Sequence, residues 1–233
     1  MRAQITERHD RWLAWSRDRF GVLLALVVLN YVVLMLLPGD RAAALAGFVI
    51  VGATTLFALD AAAAPRRVRI VARLVLILLP VLPLIFVLGR VDVVGPMVPI
   101  SLGLMMVVTV VVIIRRLLGH ITISGATLLA AVDAYVLIGL VFAQLFYGFS
   151  KLAIAAPFLA QPVHPIRPDF IYLSFVVLTT LGFGDLTPHT EVARTLVITE
   201  ALVGQIFLVT AVARVVSLYG TTRREERPGA PEE

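Results

Sequence analysis

The chain contains no cysteine, which excludes disulfide staples and thiolate metal sites and leaves the redox compartment open. Charge is scarce: Asp, Glu, Lys and Arg make up 15% of 233 residues, against 60% hydrophobic residues. A soluble domain carries about a quarter charged residues. A globule of this size cannot hide so much apolar side chain, so the solvent is lipid. Lysine is nearly missing as well; Lys151 stands alone, and arginines carry the rest of a formal net charge of +5. That bias points to a GC-rich bacterial genome. No basic cluster is interleaved with aromatics on a polar stretch, so nucleic acid is not an expected partner. The basic excess instead reads as charge that orients a chain in a bilayer. The first residues mix acids and two Trp with their arginines, unlike a cleavable signal peptide.

Long apolar runs are what the sequence does have. A helix needs about twenty mostly apolar residues to cross hydrocarbon. Phe20–Leu37, Ala42–Leu59, Val93–Ile114, Thr127–Phe149 and Val192–Val216 meet that length. Ile70–Leu88 also does if Arg73 snorkels to the interface, with Pro80 and Pro83 kinking the helix. Phe170–Leu178 is too short to cross and reads as a re-entrant segment. With six spans and both termini in the cytoplasm, most arginines fall inside, including Arg66, Arg67, Arg69, Arg73, Arg115 and Arg116. Arg41, Arg90, Lys151 and Arg167 stay outside, with Arg194 near the outer end of the last span. That asymmetry supports six spans. The expected fold is therefore all-α and polytopic: six transmembrane helices, a re-entrant helix and an extended strand after it.

The expected organisation has four parts. Residues 1–19 are a cytoplasmic segment in which Trp12 and Trp15 suit an interfacial helix. Residues 20–118 are a four-helix transmembrane domain of unassigned role, and 119–218 hold two spans and the re-entrant segment. Residues 219–233 read as a disordered cytoplasmic tail, with no soluble ligand-binding domain. The location is a cell membrane, crossed several times, and the lipid bilayer is a partner.

The informative stretch runs from Pro168 to Asp185. Asp169 suits an N-cap, and the apolar residues after it suit a helix dipping into the membrane. That helix should stop near Thr179, because Gly182 and Gly184 call for unusual backbone angles. Backbone that is neither helix nor barrel is tolerated at membrane depth only where it lines a water- or ion-filled path. Copies of such a strand around an axis would stack rings of carbonyl oxygens that replace a cation's hydration shell. One strand cannot enclose an ion, so a homotetramer is the expected assembly.

Thr179-Thr180-Leu181-Gly182-Phe183-Gly184-Asp185, followed by Leu186-Thr187-Pro188, resembles the potassium-channel signature. The likeness extends from Gly119 onward and includes the stretch Leu129–Phe146 and the run Glu200–Gln205. It implies a pore domain with a potassium-selective filter, in which Thr180, Leu181, Gly182, Phe183 and Gly184 hold permeant potassium ions and no other cofactor is needed. Thr179, Tyr172 and Asp185 would support that filter, and Gly204 falls where the family has a hinge in its inner helix. Leu181 stands for the usual Val and Phe183 for the usual Tyr. With Leu173 at the place of that Tyr's usual partner, the strand is expected to be held by apolar packing.

Several residues carry other readings. Gly-Phe-Gly-Asp also fits the pattern of intramembrane aspartyl proteases, with Asp133 and Asp185 as the dyad. Asp133, however, lacks the flanking tyrosine pattern, and Asp185 falls at the outer surface. A non-selective cation channel is the other alternative. His120, His164 and His189 have no ligand spacing and read as solvated. Asp133 lies within a span, where it either hydrogen-bonds Tyr135 or a neighbouring helix, or acts. Glu200, near filter depth, is a candidate pH sensor whose neutral acid would donate to Thr179 or Ser174. Gln205, Leu208, Val212 and Val216 recur every three to four residues and would line a cavity below the filter. Val93–Ile114 contains no arginine, so steep voltage gating is not expected.

Overall fold

The computed structural model describes residues 20–37, 40–61, 65–88, 96–119, 125–152, 157–161 and 164–225. The expected interfacial helix, His120 and residues 226–233 of the expected tail lie outside them. Helix α1 is Phe20–Leu36. It is followed by α2 (Asp40–Ala61), α3 (Arg66–Leu88), α4 (Met97–Gly119), α5 (Gly125–Leu152), α6 (Arg167–Leu178) and α7 (Glu191–Glu225). Among the described residues there is no strand; an isolated bridge joins Leu159 to Pro188.

The described residues thus build an all-helical body, consistent with a polytopic membrane protein. Four helices, α2, α4, α5 and α7, contain windows long and apolar enough to cross a bilayer. α1 is apolar but shorter, and α3 opens with Arg66, Arg67, Arg69 and Arg73. α3 runs unbroken through Pro80 and Pro83. α7 continues through Glu225, so residues 219–225 are helical where a disordered tail was expected. No proline interrupts the ladder before Pro228.

α4 is the central post and packs against α2, α3 and α5. Its Leu102, Met105, Met106 and Ile113 are buried with Leu137, Leu140 and Phe146 of α5. The two helices come close because Gly148 has no side chain: a Cβ there would stand 2.5 Å from Ile100 Cγ1. The buried hydroxyls of Thr55 and Thr109 share a 2.6 Å hydrogen bond that ties α2 to α4. Lipid offers no hydrophobic drive between helices, so small residues and such bonds set the packing. α5 then carries this body to α6 and α7.

Candidate functional site

Helix α6 begins one turn earlier than the apolar run suggests. Asp169 is not its N-cap. The cap is Ile166, and Asp169 sits at N3, its carboxylate accepting the Ile166 amide at 2.8 Å. Pro168 makes this possible, since a first-turn residue needs no N–H. The helix is anchored by Phe170, fully buried between the rings of Tyr147 (5.6 Å) and Phe158 (5.8 Å).

At the other end, the last four carbonyls of a helix have no partner within it. Here all four find one. Phe175 O accepts the amide of Thr179 at 3.0 Å and its hydroxyl at 2.6 Å. Val176 O accepts Leu181 N, and Val177 O accepts Thr180 N, both at 3.0 Å. These two bonds form a Schellman motif, which places its C′ residue in the left-handed region. That residue is Thr180, at φ +59°. Glycine is the usual occupant; a β-branched side chain there carries strain of about 1–3 kcal/mol. Leu178 O is satisfied from another helix, by the Tyr135 hydroxyl of α5 at 2.9 Å.

Beyond the motif, positive φ recurs at Gly182 (+58°) and Gly184 (+78°), but not at Leu181 or Phe183. A β-strand turns successive peptide planes to opposite sides. A chain that alternates the sign of φ turns them to the same side. The amides of residues 179–182 all donate back into α6, and no backbone amide of the described residues donates to a carbonyl of residues 180–184. The segment is exposed throughout. Its geometry is that of a row of unclaimed oxygens, suited to a cation.

Tyr172 flanks this row. Its ring stacks on Phe183 with centroids 6.5 Å apart and planes within 7°. The Asp185 carboxylate beside the Tyr172 hydroxyl pushes that hydroxyl above the ordinary phenol range. Leu173, the expected partner of Phe183, is instead buried. One residue further along a helix is rotated about 100°, onto the face that meets the core.

Helix α7 touches this unit along a narrow stripe. Ala193, Glu200 and Gly204 are buried, and Phe207 stacks on Tyr135 at 6.2 Å. A Cβ at Gly204 would stand 2.5 Å from Leu178 Cδ1. The glycine therefore lets α7 reach the last residue of α6, and the helix is continuous through it. Glu200 is fully buried, with Oε1 2.5 Å from Ser174 Oγ, and Ser174 Oγ lies 2.6 Å from the Gly139 carbonyl. Thr179 bonds Phe175 and not Glu200. A serine hydroxyl has one proton and a carbonyl has none. If Ser174 gives its proton to Gly139, the bond to Glu200 requires the neutral acid as donor. One hydroxyl so joins α5, α6 and α7.

The other nominated residues lie apart. Gln205, Leu208 and Val212 are exposed on α7, and the Val216 side chain falls outside the described atoms. Asp133 is buried with neither oxygen hydrogen-bonded, while Asp185 is exposed beside Tyr172; the two carboxyls do not meet. Tyr135 spends its hydroxyl on Leu178, not on Asp133. His164 and His189 are exposed, and the described residues include no group of three or more ligands for a metal ion.

Sequence reasoning missed the Tyr135 bond. The available signal was a tyrosine in a span, whose hydroxyl must find a partner away from water. Tyr135→Phe should leave the Leu178 carbonyl short of a donor and lower stability by about 1 kcal/mol. A fall of a few degrees in the melting temperature of the detergent-solubilised protein would register it.

Residues 134–220 match the family model described as an ion channel. No curated protein and no solved structure matches the chain. The matched stretch begins one residue before Tyr135 and contains α6, the row of unclaimed carbonyls and nearly all of α7. The part of the chain that builds this site is therefore similar to an ion channel.

Proposed function

We propose that four copies of the chain assemble about one axis as a potassium-selective channel, with Thr180, Leu181, Gly182, Phe183 and Gly184 of each lining the ion path. The carrying observation is the alternation of φ along 180–184 with the amides of residues 179–182 turned back into α6. Carbonyls left without donors at membrane depth need a cation or water. Assembly draws support from α7. Only 11% of its spanning window is buried, against 50–61% in the other three. Ile198, Leu202, Ile206 and Val209 are among its exposed residues. Part of this surface would meet neighbouring copies, while Gln205, Leu208 and Val212 would face a cavity beneath the path. Tyr172, Thr179 and Asp185 would brace the path from behind.

The transmembrane plan is six crossings with both termini cytoplasmic, α1 and α3 joining the four helices that are both long and apolar enough to cross. Rubidium uptake into potassium-loaded liposomes containing the purified chain tests conduction; uptake no faster than in empty liposomes would remove the channel reading. The protease reading needs Asp133 and Asp185 side by side; that Asp133 is buried on α5 while Asp185 is exposed beside Tyr172 speaks for the channel reading.

Voltage should act weakly. Each charge moved through the field is worth about 2.3 kcal/mol per 100 mV. α4 carries no arginine before Arg115, and the arginines of α3 lie in its first two turns. Planar-bilayer recordings should give a shallow conductance–voltage curve; a steep one carrying several gating charges would contradict this.

A further inference from the structure

α3 stands at the edge of the helical body, against α2 and α4. Ala72 faces inward, in a small cluster with Leu59 of α2 and Val112 of α4. The other side is exposed and apolar, with Ile70, Leu74, Ile77, Leu78 and Val81. Arg66, Arg67, Arg69 and Arg73 share this exposure, and no acid stands in the first turn to offset them. Arg66, Arg69 and Arg73 are spaced i, i+3, i+7 and so form one stripe. Arg115 of α4, one turn beyond Val112, is exposed at the same end. None of these arginines has a hydrogen bond or ion pair among the described residues, nor does Asp60, the last acid before α3.

Arg73 sets the problem. It lies about 10 Å farther along the axis than Arg66, on the side occupied by Ile70, Leu74 and Ile77. A charge on a lipid-facing surface is costly and requires a partner. The described residues offer none, and the stem of an arginine can lie on apolar surface while its head reaches a headgroup. We propose that this face of α3 binds an anionic phospholipid. Arg66, Arg69 and Arg73 hold the phosphate and the charged headgroup, Arg115 approaches from α4, and the acyl chains lie along Leu74, Ile77 and Leu78. The proposal holds whether or not the chain conducts ions.

The melting temperature of the purified full-length protein in detergent, titrated with phosphatidylglycerol or with phosphatidylcholine, tests it. Phosphatidylglycerol should raise the melting temperature by several degrees and phosphatidylcholine should not. Arg69→Gln with Arg73→Gln should weaken the apparent affinity for phosphatidylglycerol about tenfold or more. Lys151→Gln with Arg194→Gln, matched in charge at the opposite end, should leave it unchanged. Glycerol phosphate, which lacks acyl chains, should do nothing; a shift with it would reveal a free-anion site and overturn the lipid assignment. If the Arg69, Arg73 variant does not fold, Arg66→Gln with Arg115→Gln tests the same headgroup. Equal shifts with both lipids, or a folded variant that keeps the wild-type preference, would overturn the proposal.

Discussion

Replacing Gly182 or Gly184 with alanine should abolish selective ion flux while leaving the protein able to insert and assemble. Both glycines sit at positive φ, +58° and +78°, and nothing lies within 4 Å of where a Cβ would be. The methyl therefore meets open space, and the cost is in the backbone, about 1–2 kcal/mol for a left-handed L-residue. Relaxing that φ turns one peptide plane over and takes its carbonyl out of the row. The ring of oxygens around a cation then has gaps at that level, and a bare ion has no substitute for its hydration shell. Rubidium uptake should fall to the level of empty liposomes, with size-exclusion behaviour unchanged. Both variants retaining wild-type selective uptake would exclude residues 180–184 as the ion path.

Ser174→Ala should be clearly destabilising for so small a truncation, and Glu200→Gln milder than is usual at a buried charged position. The Ser174 hydroxyl is the only bridge described between the Glu200 carboxyl and the Gly139 carbonyl. Alanine leaves that carboxyl buried without its partner, at a cost of about 1–3 kcal/mol. Glutamine presents an N–H where the neutral acid presents an O–H, so the bond to Ser174 survives. Glutamine also cannot ionise. Single-channel open probability across a pH series thus separates two roles for Glu200. A pH response present in the wild type and absent from Glu200→Gln makes it a sensor; the same response in both makes it a structural tie. Equal thermal stability of Ser174→Ala and the wild type would contradict the bridging role.

The long elements were legible because their signals are long. Twenty apolar residues leave little choice, and α4, α5 and α7 lie where the runs place them. The glycines at 182 and 184 were legible as backbone exceptions for the same reason that glycine is favoured there. Thr180 was not. Propensity assigns the left-handed end of a Schellman motif to glycine, and only the mutual demands of α6 and the segment after it hold a threonine in it. Asp169 was misplaced because a carboxylate serves a helix start from either of two positions, and Pro168 decides between them. Leu173 was misassigned as the partner of Phe183 because alignment by position ignores the 100° between neighbours on a helix. Tyr172 and Leu173 adjoin in sequence, yet one flanks the exposed row and the other is in the core. The Tyr135 and Ser174 bonds join residues far apart in the chain, and nothing local marks such a pairing.

The most direct test of the central claim is the reversal potential of the purified chain in planar bilayers, with potassium concentrated tenfold on one side and sodium tenfold on the other. A path lined by dehydrating carbonyls of residues 180–184 predicts reversal close to the potassium equilibrium potential, about 59 mV from zero for a tenfold gradient. It also predicts that this value disappears with the Gly182→Ala and Gly184→Ala variants. Reversal near zero in the wild type would mean a cation path that does not distinguish the two ions. No current above that of protein-free bilayers would contradict the account altogether.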